Sequence, residues 1–164
     1  GNVGRLVAEK AKALGMEVWA FDPFVPTEKM EAEGVKVPAT LEELYANCDY
    51  ISLHIPANEK TKGSINYELL SKMPKGGCLV NTARKEVIDE AGMEKLLADR
   101  ADLKYVTDIA PANQAALEQF APRFFATPKK QGAETAEANM NAGLAAARQI
   151  VGFIERGETK FKVN

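Results

Sequence analysis

The chain has 164 residues, 46% hydrophobic and 27% charged, which is the balance of an ordinary globular domain and excludes a disordered or fibrous polymer. Its 21 Lys and Arg against 23 Asp and Glu leave a net charge of -2, so no global field draws it to nucleic acid or anionic lipid, and no apolar run reaches membrane-spanning length. Two cysteines, Cys48 and Cys78, without CxxC spacing, and a single histidine, His54, give no metal-ligand cluster and fit reduced thiols in a cytoplasmic protein.

Gly1 to Gly15 reads as a helix with a glycine C-cap, and its face of Leu6, Val7, Ala11 and Leu14 is expected to pack on a sheet. Glu17 to Phe21 reads as a strand ending in Asp22. Gly1 and Gly4, then helix, strand and acid, match the later part of the GxGxxG dinucleotide fingerprint with its ribose-binding carboxylate. The glycines let the backbone approach a pyrophosphate, free helix N–H groups and the dipole stabilise it, and Asp22 accepts from the ribose hydroxyls. A 2'-phosphate would be repelled by Asp22, so NAD is favoured over NADP. The fingerprint's first glycine and its strand are expected to precede Gly1, and a sheet without that strand is expected to bind NAD weakly.

Pro26 to Gly34 predicts a short helix, residues 35–37 a brief edge strand, and Thr40 with Glu43 a capping box. Asp49 to His54 predicts a strand stopped by Pro56; His54 has no acidic partner in view and is read mainly as satisfying a neighbour at the strand edge. A helix over 66–73 and a turn at Pro74–Gly77 precede the buried-strand pattern Cys78 to Asn81, after which Arg84 follows at once. In an open α/β sheet ligands bind beyond the carboxyl ends of the strands, so a cation there is a candidate for gripping an anionic substrate. Asp89 is placed to cap a helix over 90–100, Leu103 to Thr107 is a strand followed by Asp108, and Gln114 to Phe120 is a short helix. Phe124 to Thr127 is a strand stopped by Pro128, and an alanine-rich helix runs from Glu134 to about Arg156, with small residues at Ala142, Ala145 and Ala146 for packing within the domain. This alternation predicts an α/β, doubly wound, mostly parallel sheet of Rossmann type, with a dinucleotide-binding domain over 1–140 and a helix and tail over 141–164 returning toward a substrate domain.

Gly1-Asn-Val-Gly4, Phe21-Asp22-Pro23, Leu53-His-Ile-Pro56 with Thr61-Lys-Gly63, Val80-Asn-Thr-Ala-Arg84, Asp89-Glu90 and Asp108 stand in the order and spacing of the D-2-hydroxyacid dehydrogenases, which the chain resembles over nearly its whole length. The resemblance implies NAD-linked oxidation of a small 2-hydroxy acid in a cleft between two domains, and a homodimer. It also implies that the tail ending in Val163-Asn164 is the family's usual finish, with no regulatory domain after it. By position, Arg84 corresponds to the arginine that grips the substrate carboxylate and polarises the reacting oxygen. Gly1, Asn2, Val3 and Gly4 fall at the pyrophosphate, Asp22 at the ribose, and Ile55, Pro56 and Thr61 at further cofactor contacts. Thr82 and Ala83 fall near the nicotinamide, and Asp108 corresponds to the acid that accepts from its carboxamide.

Two departures matter. After Asp108 the family's glutamate-proline is missing, although Glu118 lies in the following helical pattern, and after Thr127-Pro128 the expected histidine is replaced by Lys129-Lys130. Aligning forward from Thr127-Pro128 selects Lys129 as its replacement, and aligning backward from Gly132-Ala-Glu-Thr135 selects Lys130. A histidine-free site resembles the lysine-type phosphoglycerate dehydrogenases, which implies 3-phosphoglycerate as substrate; a glyoxylate or hydroxypyruvate reductase and a non-catalytic, dinucleotide-sensing corepressor are the alternatives. A lysine base must spend time neutral, far below its ordinary pKa of about 10.4. Arg84, the other lysine of the pair, and Lys85 in place of the family's glycine would favour that.

Overall fold

The computed structural model describes residues 1–130, 132 and 134–162; the expected family finish at Val163-Asn164 lies outside the described residues. Four strands, β1 (Tyr50–Leu53), β2 (Cys78–Asn81), β3 (Lys104–Thr107) and β4 (Phe124–Ala126), form one sheet in the order β1-β2-β3-β4. All three pairings are parallel, which confirms the Rossmann-type α/β class. The helices are α1 (Asn2–Ala13), α2 (Thr27–Ala32), α3 (Leu41–Asn47), α4 (Tyr67–Leu70), α5 (Glu90–Asp99), α6 (Gln114–Leu117) and α7 (Ala136–Arg156). None of them is long and apolar enough to cross a membrane among the described residues. Contacts divide the chain into two compact units, Gly1–Lys129 and Lys130–Asn164.

Register explains the core of the first unit. Ile51 stands beside Leu79, Leu79 beside Tyr105, and Tyr105 beside Phe124, and all four are buried. One row further on, Leu53, Asn81 and Thr107 are aligned and buried in the same way. Leu69 and Leu70 of α4 and Met93, Leu96 and Leu97 of α5 join this layer. Each such side chain contributes about 1.5–3 kcal/mol through the water it leaves. The opposite sheet face is less covered: Tyr50 is 65% and Phe125 56% exposed.

Several expectations need correction. Glu17 to Phe21 is no strand: it meets residue 36 through a single bridge, Trp19 to Lys36, with Ala20 N–H on Lys36 O at 2.8 Å. A period-two run needs a neighbour of comparable length to become a ladder, and residues 35–37 offer one bridge only. The apolar face of α1 does not pack on the sheet, because none of the helix's residues is buried. Ionic contacts tie α1 to α2 instead: Arg5 pairs with the Glu33 carboxylate at 2.8 Å, and Lys12 donates to the Glu33 carbonyl. The capping box forms with a shift, since Thr40 Oγ1 accepts from Glu43 N–H at 3.1 Å while the Glu43 carboxylate takes the N–H of Ala39. Asp89 occupies the N-cap of α5 but makes no capping bond. In the second unit, α7 is capped by Thr135, whose side chain accepts from Ala138 N–H, and ends at Gly157 with φ 65°, a left-handed stop that glycine accepts without strain.

Candidate functional site

Because all four strands run the same way, the segments that leave their carboxyl ends share one edge of the sheet. They are His54–Thr61 after β1, Thr82–Lys85 after β2, Asp108–Asn113 after β3 and Thr127–Lys129 after β4. That edge is where an open parallel sheet binds ligands.

Gly1 is the N-cap of α1, and the first helical bond at that end runs from Arg5 N–H to Gly1 O at 3.1 Å. The N–H groups of Asn2, Val3 and Gly4 therefore precede the hydrogen-bonded ladder and point out of the positive end of the helix dipole. The main-chain nitrogen of Gly1 lies 3.7 Å from Asp22 Oδ2, so the helix start and the acid are together. Asp22 Oδ1 is occupied by the N–H of Phe24 at 2.9 Å, which fixes the carboxylate and leaves Oδ2 for a ligand hydroxyl. Beside it Phe21, Phe24, Val37 and Pro38 help line a shallow depression.

After β1, His54 Nε2 pairs with Ser52 Oγ at 3.0 Å, the neighbour-satisfying role expected of it. Burial holds the imidazole below its ordinary value. Thr61 shapes the loop rather than presenting its hydroxyl: Oγ1 donates to Pro56 O at 2.6 Å and accepts from Asn58 N–H at 2.8 Å. Ile55 is half-buried and Pro56 exposed in that loop.

After β2, the geometry turns on Asn81, a residue whose part in the site the sequence did not reveal. Its side chain is completely buried, donates to Arg84 O at 3.0 Å and accepts from Ala83 N–H at 3.0 Å. The Ala83 N–H is thus taken up within the turn, while Thr82 is exposed at the tip. Arg84 is exposed, and Nη1 donates to Ala83 O at 2.7 Å, which steers the guanidinium back over its own turn. Lys85, also exposed, opens the next helical turn.

Asp108 carries the most telling feature: Oδ1 is buried without a hydrogen-bond partner among the described residues. A buried carboxylate oxygen without a donor is costly, and a ligand N–H would relieve it. The loop that follows is pinned by Glu90 of α5, whose carboxylate accepts from Ala112 N–H at 2.8 Å and whose carbonyl accepts from Asn113 Nδ2 at 3.0 Å. Glu118 does not stand as a relay acid, because Oε1 accepts from Gln114 Nε2 at 2.9 Å on the same exposed helical turn. Lys129 is exposed, and its carbonyl accepts from Thr127 Oγ1 at 2.8 Å. Lys130 is half-buried and opens the second unit.

The residues present fit a dinucleotide: free helix N–H groups for a pyrophosphate, the Asp22 carboxylate for a ribose, and an unpartnered Asp108 oxygen for a carboxamide. Comparison with known proteins agrees. Residues 1–129 match the family model described as D-isomer specific 2-hydroxyacid dehydrogenase, NAD binding domain. The D-3-phosphoglycerate dehydrogenase of Methanocaldococcus jannaschii is 35% identical over 161 residues, 96% of this chain and 30% of that protein. The hydroxypyruvate reductase of Thermotoga maritima is 35% identical over 155 residues, 92% of this chain and 49% of that protein. The crystal structure of cofactor (NAD+) bound 3-phosphoglycerate dehydrogenase from Entamoeba histolytica superposes with a TM-score of 0.85 at 48% identity, covering 100% of this chain and 52% of that one. The chain thus spans between about a third and about a half of the length of these relatives. It belongs to the NAD-binding domain family of the D-isomer specific 2-hydroxyacid dehydrogenases.

Proposed function

We propose that this chain forms the nucleotide-binding half of an NAD-dependent dehydrogenase that oxidises a 2-hydroxy acid, with 3-phosphoglycerate as the substrate and serine biosynthesis as its setting. The observation that carries this reading is the placement of Arg84 in the turn after β2 and of the Asp108 oxygen, without a donor among the described residues, directly after the adjacent parallel strand β3. A cation for a carboxylate and an acceptor for a carboxamide are what acid and cofactor ask for. When bound, NAD supplies the acceptor for the substrate's hydrogen and electron pair. The N–H groups of Asn2, Val3 and Gly4 hold the pyrophosphate, Asp22 Oδ2 the ribose, and Asp108 orients the carboxamide. Arg84 binds the substrate carboxylate and stabilises charge on the reacting oxygen, a task suited to a planar two-pronged cation.

Proton transfer falls to the Lys129-Lys130 pair. Lys129 is the stronger candidate because it leaves β4 at the same sheet edge and within the same unit as Arg84, two strand spacings or about 10 Å from β2. Neutral, it takes the hydroxyl proton; protonated, it returns it in the reducing direction. The preference for the phosphorylated acid follows from the D-3-phosphoglycerate dehydrogenases among the relatives and from the cations Arg84, Lys85 and Lys129 that leave β2 and β4 at the same sheet edge. A hydroxypyruvate reductase is the second reading, favoured by the Thermotoga relative at equal identity. We further infer a homodimer in the cytoplasm, consistent with free thiols at Cys48 and Cys78.

The test is steady-state turnover by the full chain with 3-phosphoglycerate and with glycerate. Higher kcat/KM for the phosphorylated acid supports the first reading, equal values support the second, and no turnover with NAD still bound rejects both. Loss of turnover in Lys129→Ala with NAD affinity retained assigns the base; near-normal turnover in both Lys129→Ala and Lys130→Ala removes lysine from the mechanism.

A further inference from the structure

Asn81 is fully buried at the end of β2, a position where an unpaired amide would be costly. Its two faces serve two different loops. On one side the carboxamide closes the turn that carries Arg84, with Nδ2 on Arg84 O and Oδ1 under Ala83 N–H, both at 3.0 Å. On the other, its main-chain carbonyl accepts from Thr107 Oγ1 at 2.8 Å and from the N–H of Asp108 at 3.4 Å. Thr107, buried and in register with Asn81, accepts the N–H of Ile109 on the same hydroxyl at 3.0 Å. The first two residues of the Asp108 loop are therefore hung on Asn81 and its partner, while the Arg84 turn is hung on the Asn81 side chain.

We propose that Asn81 is a positioning residue that locks the Arg84 turn and the Asp108 loop into one unit, with Thr107 as the link, so that the grips on substrate and on cofactor are set together. The inference rests on the roles given above to Arg84 and Asp108. Asn81 touches neither ligand, because both ends of its amide are committed to main-chain atoms. A leucine of similar size would fill the space and leave the turn without either bond, so bulk alone does not substitute.

Hydrogen exchange and steady-state kinetics on the full chain test this with Asn81→Ala, Asn81→Asp and Thr107→Val. Losing a neutral hydrogen bond that closes a turn is expected to speed exchange about tenfold in segment 82–86 of Asn81→Ala, and also in segment 108–113, which the substitution does not touch directly. Thr107→Val is expected to loosen both segments in the same way. In turnover, the KM values for acid and for NAD should both rise about tenfold in Asn81→Ala, since one hydrogen bond of this kind corresponds to that factor. Asn81→Asp keeps the acceptor for Ala83 N–H but sets a buried carboxylate oxygen against Arg84 O, so a larger effect in the same two segments is expected; Thr107→Val serves if the alanine variant fails to fold. Faster exchange confined to 82–86, or a fall in kcat with both KM values unchanged, would overturn the proposal. If the wild-type chain turns over no 2-hydroxy acid, the functional reading fails by itself, and the exchange data still decide whether the two loops are linked.

Discussion

Gly4 lies against the ring of His54: a Cβ built on the glycine would stand 3.5 Å from His54 Cβ, Cγ and Cδ2. That is ordinary van der Waals contact, so a methyl fits where a longer side chain would have to displace the imidazole. Gly4 is the third residue of α1, where alanine is the better helix former by up to about 1 kcal/mol. Gly4→Ala is therefore expected to leave the melting temperature unchanged or to raise it slightly, while Gly4→Leu lowers it. Thermal unfolding followed by circular dichroism checks both; a clear drop in Gly4→Ala would mean that the helix and β1 approach more closely than these distances indicate.

The same histidine makes stability depend on pH. Its folded value is held down by burial, against an ordinary value near 6.5. The unfolded chain therefore takes up the proton before the folded one does as pH falls. The stabilisation is complete above about 6.5 and drains away as pH drops through the lower folded value. Denaturant midpoints measured between neutral and mildly acidic pH should fall for the wild type and stay flatter for His54→Gln. Parallel curves for the two proteins would show that the imidazole is not the group responsible.

Much of this architecture is legible in the residue order, and the failures have physical causes. The four strands announce themselves as short apolar runs ending in His54, Asn81, Asp108 and Pro128, because a strand buried against helices tolerates little else. Thr40 and Thr135 cap their helices as their residue types suggest. Glu17 to Phe21 has the same look and makes one bridge, since a strand is a property of a pair and its neighbour's length cannot be read from its own side chains. Asp89 has the right residue type for a cap and lacks the bond, with its carboxylate close to where a Cβ on Gly92 would stand. The positions of Arg84 and Asp108 just past strand ends are legible in the residue order, whereas the bonding of Asn81 is not. An asparagine finishing a strand looks like any turn residue until the register with Thr107 shows that both of its faces are in use. The buried, donorless oxygen of Asp108 is likewise a fact of packing that no spacing encodes.

Away from the site, Arg100 and Asp102 close the far end of the sheet. The guanidinium pairs with the Asp102 carboxylate at 2.8 Å and gathers the carbonyls of Ser71 at 2.9 Å and Met73 at 3.2 Å, while Asp102 accepts from Gly76 N–H at 2.9 Å. The Arg100 hydrogen bond and then the Gly76 N–H hold the Asp102 carboxyl well below the usual carboxylate range. The stabilisation is thus present above the ordinary carboxylate value and is lost only as pH falls toward the depressed one. Asp102→Asn is expected to cost about 1–2 kcal/mol at neutral pH, because it removes charge-assisted bonds from a half-buried pair. Urea titrations of the two proteins should converge in strong acid, and a constant gap down to the lowest pH would contradict the assignment.

The proposed ribose-binding role of Asp22 predicts that this residue sets the selectivity between the two nicotinamide dinucleotides. Its Oδ1 is tied to Phe24 N–H, and its Oδ2 lies within 3.7 Å of the Gly1 nitrogen at the start of α1. A carboxylate so fixed accepts from a ribose 2'-hydroxyl and repels a 2'-phosphate at the same point. Asp22→Asn keeps an oxygen for Phe24 N–H and removes the charge, which separates repulsion from loop geometry. The ratio of Kd values for NADP and NAD is expected to fall about fivefold, since two like charges about 4 Å apart repel by about 1 kcal/mol even in a watery site. Cofactor titration by NADH and NADPH fluorescence on the full chain reads this ratio directly. If NAD weakens while NADP does not gain relative to it, Asp22 acts by shaping the turn, and the discrimination belongs elsewhere.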